Sequence, residues 1–443
     1  MTPIIAIIGG GMSGTFTVFN YIKQCQKPIS ILWFDFSAKF CKGYAYSTFD
    51  NNHLLNVRAS NMSAFADEPH HFTNWLKQHD SIYSEHDFVP RKIYGDYVQD
   101  TFDKLKTTNP FVTIHQFAEE IISINKNENG FELMGSKKYE AQKILLAFGN
   151  FLPAHPSSLS KEFITSKNYF QNAFHAQLIQ KFSSAKSIAI LGSGLTMIDL
   201  CVTLYHHHYR GNIQIISPHA YIPQTQTKFL GKVYPSFIDA KKQYSLLEIF
   251  SKVNQQLKIA KKENRNLNSV IDSLRPSLQT LWLQFSLKDK RQFLRHLRHK
   301  WGVARHRAPI ESMAIFNKLA ANNQIQLIKG RISNIETFDS NFEIHYSNLE
   351  IKQNVLKSDL IINCTGPESD YTKLTSTLVK QLINSKLIEA DELKYGIKAQ
   401  ENGQISPDLF TIGPPLKGIL WESTAVPEIR EQAKELAHKI NYN

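Results

Sequence analysis

Residues 3–25 read PIIAIIGGGMSGTFTVFNYIKQC, and the order of residue types in that stretch decides the fold. A short β-branched apolar run, 3–8, stops at GGGMSG (9–14), and an amphipathic segment follows. That is strand, G-x-G-x-x-G, helix. Gly9 permits the tight turn, Gly11 lets a pyrophosphate approach the backbone, and Gly14 lets helix and strand pack closely. Met12 and Ser13 open the helix, whose unpaired N–H groups and dipole favour a phosphate. A second strand, ISILWF (29–34), delivers Asp35. It stands about 20 residues past the motif, where an acid holds ribose hydroxyls.

The pattern recurs. SIAIL (187–191) runs into Gly192, Ser193 and Gly194, then Leu195 and Thr196 open the next helix. Met197 stands where the third glycine belongs, so helix and strand pack less closely there. The following strand, IQIIS (213–217), ends in Ser-Pro-His, with neither an acid for NADH nor an arginine for a 2′-phosphate, which leaves NADH and NADPH both open. Two such units suggest one tightly held dinucleotide and one that exchanges: FAD in the first, NAD(P)H in the second. The expected fold class is α/β, with two Rossmann-like units.

ILLAFGN (144–150), with Gly149, reads as the crossing between units, and DLIINCTGPE (359–368), with Gly366, as the return. The FAD domain is therefore expected to be discontinuous, 1–180 and 355–443. The NAD(P) domain, 181–354, carries a helical insertion at about 241–310. Short strands near 111–116, 118–125 and 131–136 read as an antiparallel meander, and FVPRKIYGDYVQDTF (88–102) as a helix. The tail reads as strand, glycine-proline loop, helix rejoining the first sheet.

The 443 residues allow two or three domains. The four cysteines are far apart, which excludes a disulfide framework, a zinc knuckle and a dithiol pair. Cys41 remains a lone thiol candidate near the first site, with packing as the plainer reading. His206, His207 and His208 are consecutive on a helix, about 100° apart, and cannot converge on one ion, so no metal is expected. No apolar run is long enough for a membrane span, and the N-terminus lacks a basic region and cleavage site, so a cytoplasmic protein is expected. No nucleophile elbow or P-loop occurs. Residues 241–310 hold nine Lys and seven Arg against two Asp and two Glu, a local excess equal to the whole formal net charge of +12. That patch suggests anions, whether acidic small substrates or nucleic acid, or else a solvated helical surface. RNA is the weakest of these, since no RNA-binding module is evident.

One segment has neither period: HLLNVRASNMSAFADEP (53–69). With GYAYST (43–48), PRKIYGDY (90–97), GSGLTMID (192–199), LRPSLQTLW (274–282), RHRAP (305–309), INCTGPE (362–368) and GILWESTAVPEIR (418–430), it resembles the bacterial FAD/NAD(P)-binding oxidoreductases of the YdhS type over nearly the whole chain. The same broad family is thought to include amino-acid N-hydroxylases. The resemblance implies that residues 43–63 wrap the flavin. Leu55, Val57 and Met62 would form an apolar wall, and Tyr44, His53, Asn56 and Ser63 would line the cofactor. Arg58 would meet phosphate, flavin or substrate. In the tail, Gly413 is followed by Pro414 where many flavoproteins carry an acid for the ribityl chain, and Leu420 and Trp421 precede a helix aimed at the ring. Arg305 and Arg307, before Pro309, are candidates for a substrate carboxylate or phosphate.

The function implied is an FAD-dependent NAD(P)H monooxygenase. It would use dioxygen, through a flavin C4a-hydroperoxide, on a small anionic or amine-bearing substrate, with N-hydroxylation of an amino acid favoured. The alternative is an NAD(P)H-dependent reductase of a quinone or other acceptor; a flavoprotein with an RNA-binding role is the third. No catalytic acid or base and no oligomeric state is legible.

Overall fold

A computed structural model describes residues 2–79, 82–156, 161–227, 233–239, 241–338, 341–348 and 353–442. The first sheet has six strands in the order Gln404–Ser406, Leu409–Thr411, Lys143–Leu146, Ile4–Ile8, Ile29–Phe34, Val112–Phe117. All pair in parallel except the Gln404–Ser406 edge. Ile4–Ile8 is central and its apolar run is buried on both faces, as a parallel strand requires. Helix Met12–Gln24 and the C-terminal helix Val426–Tyr442 pack on one face with the 53–67 segment and helix Arg91–Leu105. The other face carries the meander and helix Thr377–Asn384.

The second sheet repeats this plan: Ile325–Lys329, Asn212–Ser217, Ser187–Leu191, Leu360–Asn363, Tyr169–Phe170, all parallel. The repeat extends to single hydrogen bonds. Gly9 N donates to Phe34 O at 2.8 Å, and Gly192 N to Ile216 O at 2.8 Å. A Cβ on Gly9 would lie 2.2 Å from Ala147 O, and one on Gly192 2.5 Å from Cys364 O. With φ of +122° and +102°, both turns admit only glycine without strain. The α/β class with two Rossmann-like units is what the structure has.

Two readings shift. Val112–Phe117 is not part of the meander; it is a parallel strand of the first sheet, and the meander is Ser123–Asn127, Gly130–Met134 and Lys138–Ala141. A six-residue strand signal carries no information on its partner's direction. The second sheet also takes in Tyr169–Phe170 and Leu360–Asn363, so its strands reach beyond 181–354 at both ends.

The basic segment is helical. Leu246–Lys262 begins with a capping box between Ser245 and Glu248. Leu278–Gln284 and Leu287–Gln292 follow, then one π-helical turn, Phe293–Leu297, and Arg298–Arg305. This segment lies against the 413–425 tail loop. Trp282 Nε1 donates to Gly418 O at 2.9 Å, and the Trp282 ring sits 4.9 Å from that of Trp421. Among the described residues, no helix is long and apolar enough to cross a membrane.

Candidate functional site

Both glycine turns end in helices whose N-termini are uncapped. Gly11 begins Met12–Gln24 and Gly194 begins Leu195–His206; neither helix has a side-chain cap or an acid in its first turn. The leading N–H groups are left for a ligand, and their dipoles favour an anion. Beside Gly194, Gly149 and Gly366 a Cβ would meet nothing within 4 Å, so open space adjoins the nucleotide turn of the second unit and both crossings. Leu195 and Thr196 are half-buried at that helix start. Asp35 stands where the ribose acid belongs: its Oδ2 accepts from Gly10 N at 2.8 Å and its Oδ1 from Ser37. These features fit FAD in the first unit and a nicotinamide dinucleotide in the second. Met12 and Ser13 are buried at the first helix start, and Gly413, at φ +76°, closes on Ser13 Oγ. Gly14 lies so close that its Cβ would stand 2.1 Å from Gly9 O. In the second unit, Ser193 Oγ bonds Ser217 Oγ and the Tyr221 carbonyl, and buried Met197 fills the wider helix-strand gap.

The 43–63 segment turns back on the protein more than expected. Leu55 and Met62 are buried in the first core, with Val57 packed beside them. Ser63 Oγ donates to the carbonyls of Phe65 and Glu68. Tyr44 OH donates to Asn172, and its ring meets Phe174 edge-on. The Asn56 carbonyl accepts from Gln226. Arg58 is buried; it donates to the carbonyls of His86 and Thr227 and lies over the Phe88 ring. Its guanidinium is thus held by backbone from both units. Short spacings in sequence cannot reveal a carbonyl 169 residues away.

His53 lies in a buried seam between the units. Its Nδ1 is 2.6 Å from Thr48 Oγ1 and its Nε2 is 2.8 Å from Thr203 Oγ1, which donates in turn to Asp50 Oδ2 at 2.8 Å. Burial, first among several causes, lowers the His53 pKa. Burial would raise that of Asp50, but hydrogen bonds from Asn52 and Thr203 outweigh it and hold the carboxyl below its usual range. Beside them Arg91 pairs with Asp199 at 2.8 Å and donates to Leu54 O. Sequence reading gave no role to Asp50, Arg91, Asp199 or Thr203. Two of them lie inside quoted motifs, PRKIYGDY and GSGLTMID, which was the available signal.

Arg305 and Arg307 separate. Arg307 is a structural residue: it forms two 2.9 Å bonds to Asp272 and donates to the Ala304 and Asn268 carbonyls. An arginine at a helix end met its acid within the same insertion. Arg305 lies by the tail loop, 3.9 Å from Glu422, and its buried Nε has no partner. His306 keeps exposed surface although protein crowds it. Burial, then the Arg305 and Lys417 charges, push it down to about 4. Leu420 and Trp421 are buried, and Trp421 is held among Trp282, Phe293 and Tyr395. All four cysteines are buried and none is in a disulfide; burial, ahead of Asp103, pushes Cys41 up to about 12, which keeps its thiol protonated. Among the described residues no group of His, Cys, Asp and Glu could hold a metal.

Residues 6–151 match the FAD-NAD(P)-binding protein family. Over 224 residues the chain is 23% identical to the Escherichia coli protein YdhS; the alignment covers 46% of this chain and 40% of that protein, so less than half of that relative is matched. Among solved structures, the cadaverine monooxygenase DfoA of Erwinia amylovora, bound to FAD, superposes with a TM-score of 0.69 at 13% identity, over 99% of this chain and 94% of that one. The ornithine hydroxylase PvdA of Pseudomonas aeruginosa gives 0.68 at 12%, over 100% and 99%. The bacillithiol disulfide reductase Bdr of Bacillus cereus gives 0.58 at 11%, over 100% and 99%. At these identities the structures establish the fold. The domain match and YdhS support the FAD/NAD(P)-binding oxidoreductase family that the motifs indicated, and with it FAD and NAD(P) as cofactors.

Proposed function

We propose that the chain is an FAD-dependent NAD(P)H oxidoreductase acting as a monooxygenase on a small anionic or amine-bearing substrate, with N-hydroxylation of an amino acid favoured. One observation carries it. The segment that follows the first glycine turn docks, through Asp50 and His53, onto Thr203 of the helix that follows the second. That contact packs the segment after the first turn against the helix that the second turn opens, and so joins the two nucleotide units, as hydride passage between two dinucleotides requires. When bound, FAD supplies the two-electron chemistry that links NAD(P)H oxidation to dioxygen. The chain's own tasks are binding, orientation and exclusion of water. The uncapped helix at Gly11 and Asp35 hold the dinucleotide's phosphates and ribose, and the Gly194 helix receives the second one. Trp282, Phe293 and Trp421 form a buried apolar cluster that seals the helical segment against the tail loop and excludes water there. DfoA and PvdA, by their names, act on cadaverine and ornithine, which agrees with a nitrogen-bearing substrate.

The test is stoichiometry. FAD-loaded protein is given NADPH or NADH, dioxygen and candidate amino acids, and hydroxylated product and hydrogen peroxide are counted per nucleotide oxidised. Product rising toward one per nucleotide is the expected result. Peroxide alone with every candidate, together with rapid reduction of a quinone, would move the assignment to the reductase reading. Bdr shows that this fold also serves a reductase. A dithiol route is closed here by the burial of all four cysteines. The RNA-binding reading is weakened because Arg275 and Arg307 of the basic segment are paired with the protein's own Glu428 and Asp272.

A further inference from the structure

The cleft between the helical segment and the tail loop holds more positive charge than its carboxylates balance. Lys417 is largely enclosed. Its ammonium lies 5.7 Å from the Tyr395 ring centre and 5.6 Å from that of Trp421, and no carboxylate among the described residues is within ion-pair distance. Arg298 lies over the same Tyr395 ring at 5.6 Å, and it bonds the His299 ring at 3.0 Å rather than an acid. Arg305 carries the partnerless Nε. Two carboxylates approach these cations. Glu422 accepts from Trp301 Nε1 at 3.2 Å and lies 3.9 Å from Arg305, and Glu428 pairs through Oε1 with Arg275 at 2.8 Å while its Oε2 has no hydrogen-bond partner. Burial, then the charge of Arg298, lowers the Lys417 pKa, with Glu422 opposing. Enclosed cations without counter-charge are costly, and an orphaned buried donor adds to the cost. A bound anion removes both penalties.

A groove of about 390 Å³ opens to the surface from Arg298 and Tyr395, with Arg291, Arg295 and Lys394 along it against Glu392. Its field would draw an anion inward. The π-helical turn at Phe293–Leu297 immediately precedes Arg298 in the same run of helix, a feature often found at binding sites. We infer that this cleft is a carboxylate-binding subsite, with Lys417, Arg305 and Arg298 as ligands, that selects a small carboxylate-bearing substrate. The inference rests on the oxygenase reading only for the word substrate; binding itself needs no turnover.

The probe is succinate, titrated into the FAD-loaded protein without nucleotide and followed by fluorescence of Trp282, Trp301 and Trp421. Saturable quenching that weakens with salt is expected, while cadaverine, a chain of similar length with two positive ends, gives none. K417M and R305M should each weaken succinate at least tenfold. K417M should also melt no lower than the parent without ligand, because it removes a cation that has lost no partner; that measurement stands even if R305M folds poorly. Absence of saturable binding, equal or tighter binding of cadaverine, or a K417M protein that melts well below the parent overturns the subsite. Simple competition between NADP⁺ and succinate overturns it too, because the cations would then serve a nucleotide phosphate. Succinate binding by a protein that yields only peroxide keeps the subsite and defeats the oxygenase reading, so the two fail separately.

Discussion

Gly14 is the third glycine of the first turn and Gly194 the second glycine of the other, and alanine should act on them in opposite ways. At Gly14 the new Cβ would lie 2.1 Å from Gly9 O and 3.2 Å from Trp33 Nε1, where ordinary contact begins at 3.4 Å. Helix and glycine turn must part by more than 1 Å. Overpacking of this kind costs about 1–3 kcal/mol, and the displaced turn is the one that cradles FAD. At Gly194 nothing lies within 4 Å and φ is −87°, an ordinary value for alanine. Restricting the unfolded chain gains about 0.4–1 kcal/mol, which alanine's poorer capping offsets by a similar amount. The fold should therefore be indifferent to G194A, with a melting temperature within about 2 °C of the parent. The methyl would instead occupy the space that a pyrophosphate needs. Nucleotide affinity should fall at least about tenfold, near 1.4 kcal/mol. The assay is the anaerobic reductive half-reaction, with apparent Kd read from the NAD(P)H dependence of flavin bleaching, beside FAD content and melting of each variant. G14A should lose FAD and stability; G194A should keep both and bind NAD(P)H poorly. A G194A protein with unchanged nucleotide affinity would refute a second site at this turn, and one that sheds FAD would refute the assignment of the two units.

The Arg91–Asp199 pair joins the units at 2.8 Å in a largely buried seam. R91M or D199L alone should cost about 3 kcal/mol, since breaking one side of a buried pair leaves a lone charge. The double variant should recover part of that, and strictly additive melting data would remove the pair from the seam's energetics. His306 and His299 are both held near 4, against 6.5 when unfolded. Burial is the first cause for both; Arg305, Lys417 and Arg275 then press on His306 with Glu428 opposing, and Arg298 and His219 on His299. Between pH 4 and 6.5 the unfolded chain binds the extra protons, so stability falls as pH drops through that window. H306Q should flatten the acid limb of a melting-temperature profile, and an unchanged limb would show that His306 does not contribute. Cys41, pushed up to about 12 by burial, stays protonated throughout the assay range. A disulfide reagent should not label it in the native protein, and C41A should keep NAD(P)H oxidation; prompt native labelling would contradict its enclosure. R307M should lower the melting temperature and leave substrate KM unchanged, since every contact of Arg307 is within the helical segment.

The legible part of the protein is local. The glycines at 9, 11, 14, 192 and 194 form patterns spanning only a few positions, so their order alone places two turns, two helices and the acid at 35. The 53–69 segment shows where that logic stops. Its apolar residues do signal an enclosed loop, but which surface encloses it depends on side chains distant in sequence. Leu55 and Met62 face the first core, while Arg58, Asn56 and His53 face Thr227, Gln226 and Thr203 across the seam. The quoted motifs without a chemical role turn out to be those joints. PRKIYGDY meets GSGLTMID through Arg91 and Asp199, and LRPSLQTLW meets GILWESTAVPEIR through Arg275–Glu428, Gln279 to the Glu422 carbonyl, and Trp282 to the Gly418 carbonyl. Lys417 was invisible for the same reason. It sits in a proline-glycine loop that reads as a connector, and its importance comes from Arg298 and Arg305, more than a hundred residues earlier, arriving in the same cleft. A charge count over 241–310 finds the excess but not its use. Arg307 and Arg305 are two residues apart, yet one is satisfied by Asp272 and the other is not, and only the arrangement of acids around them separates a strut from a ligand.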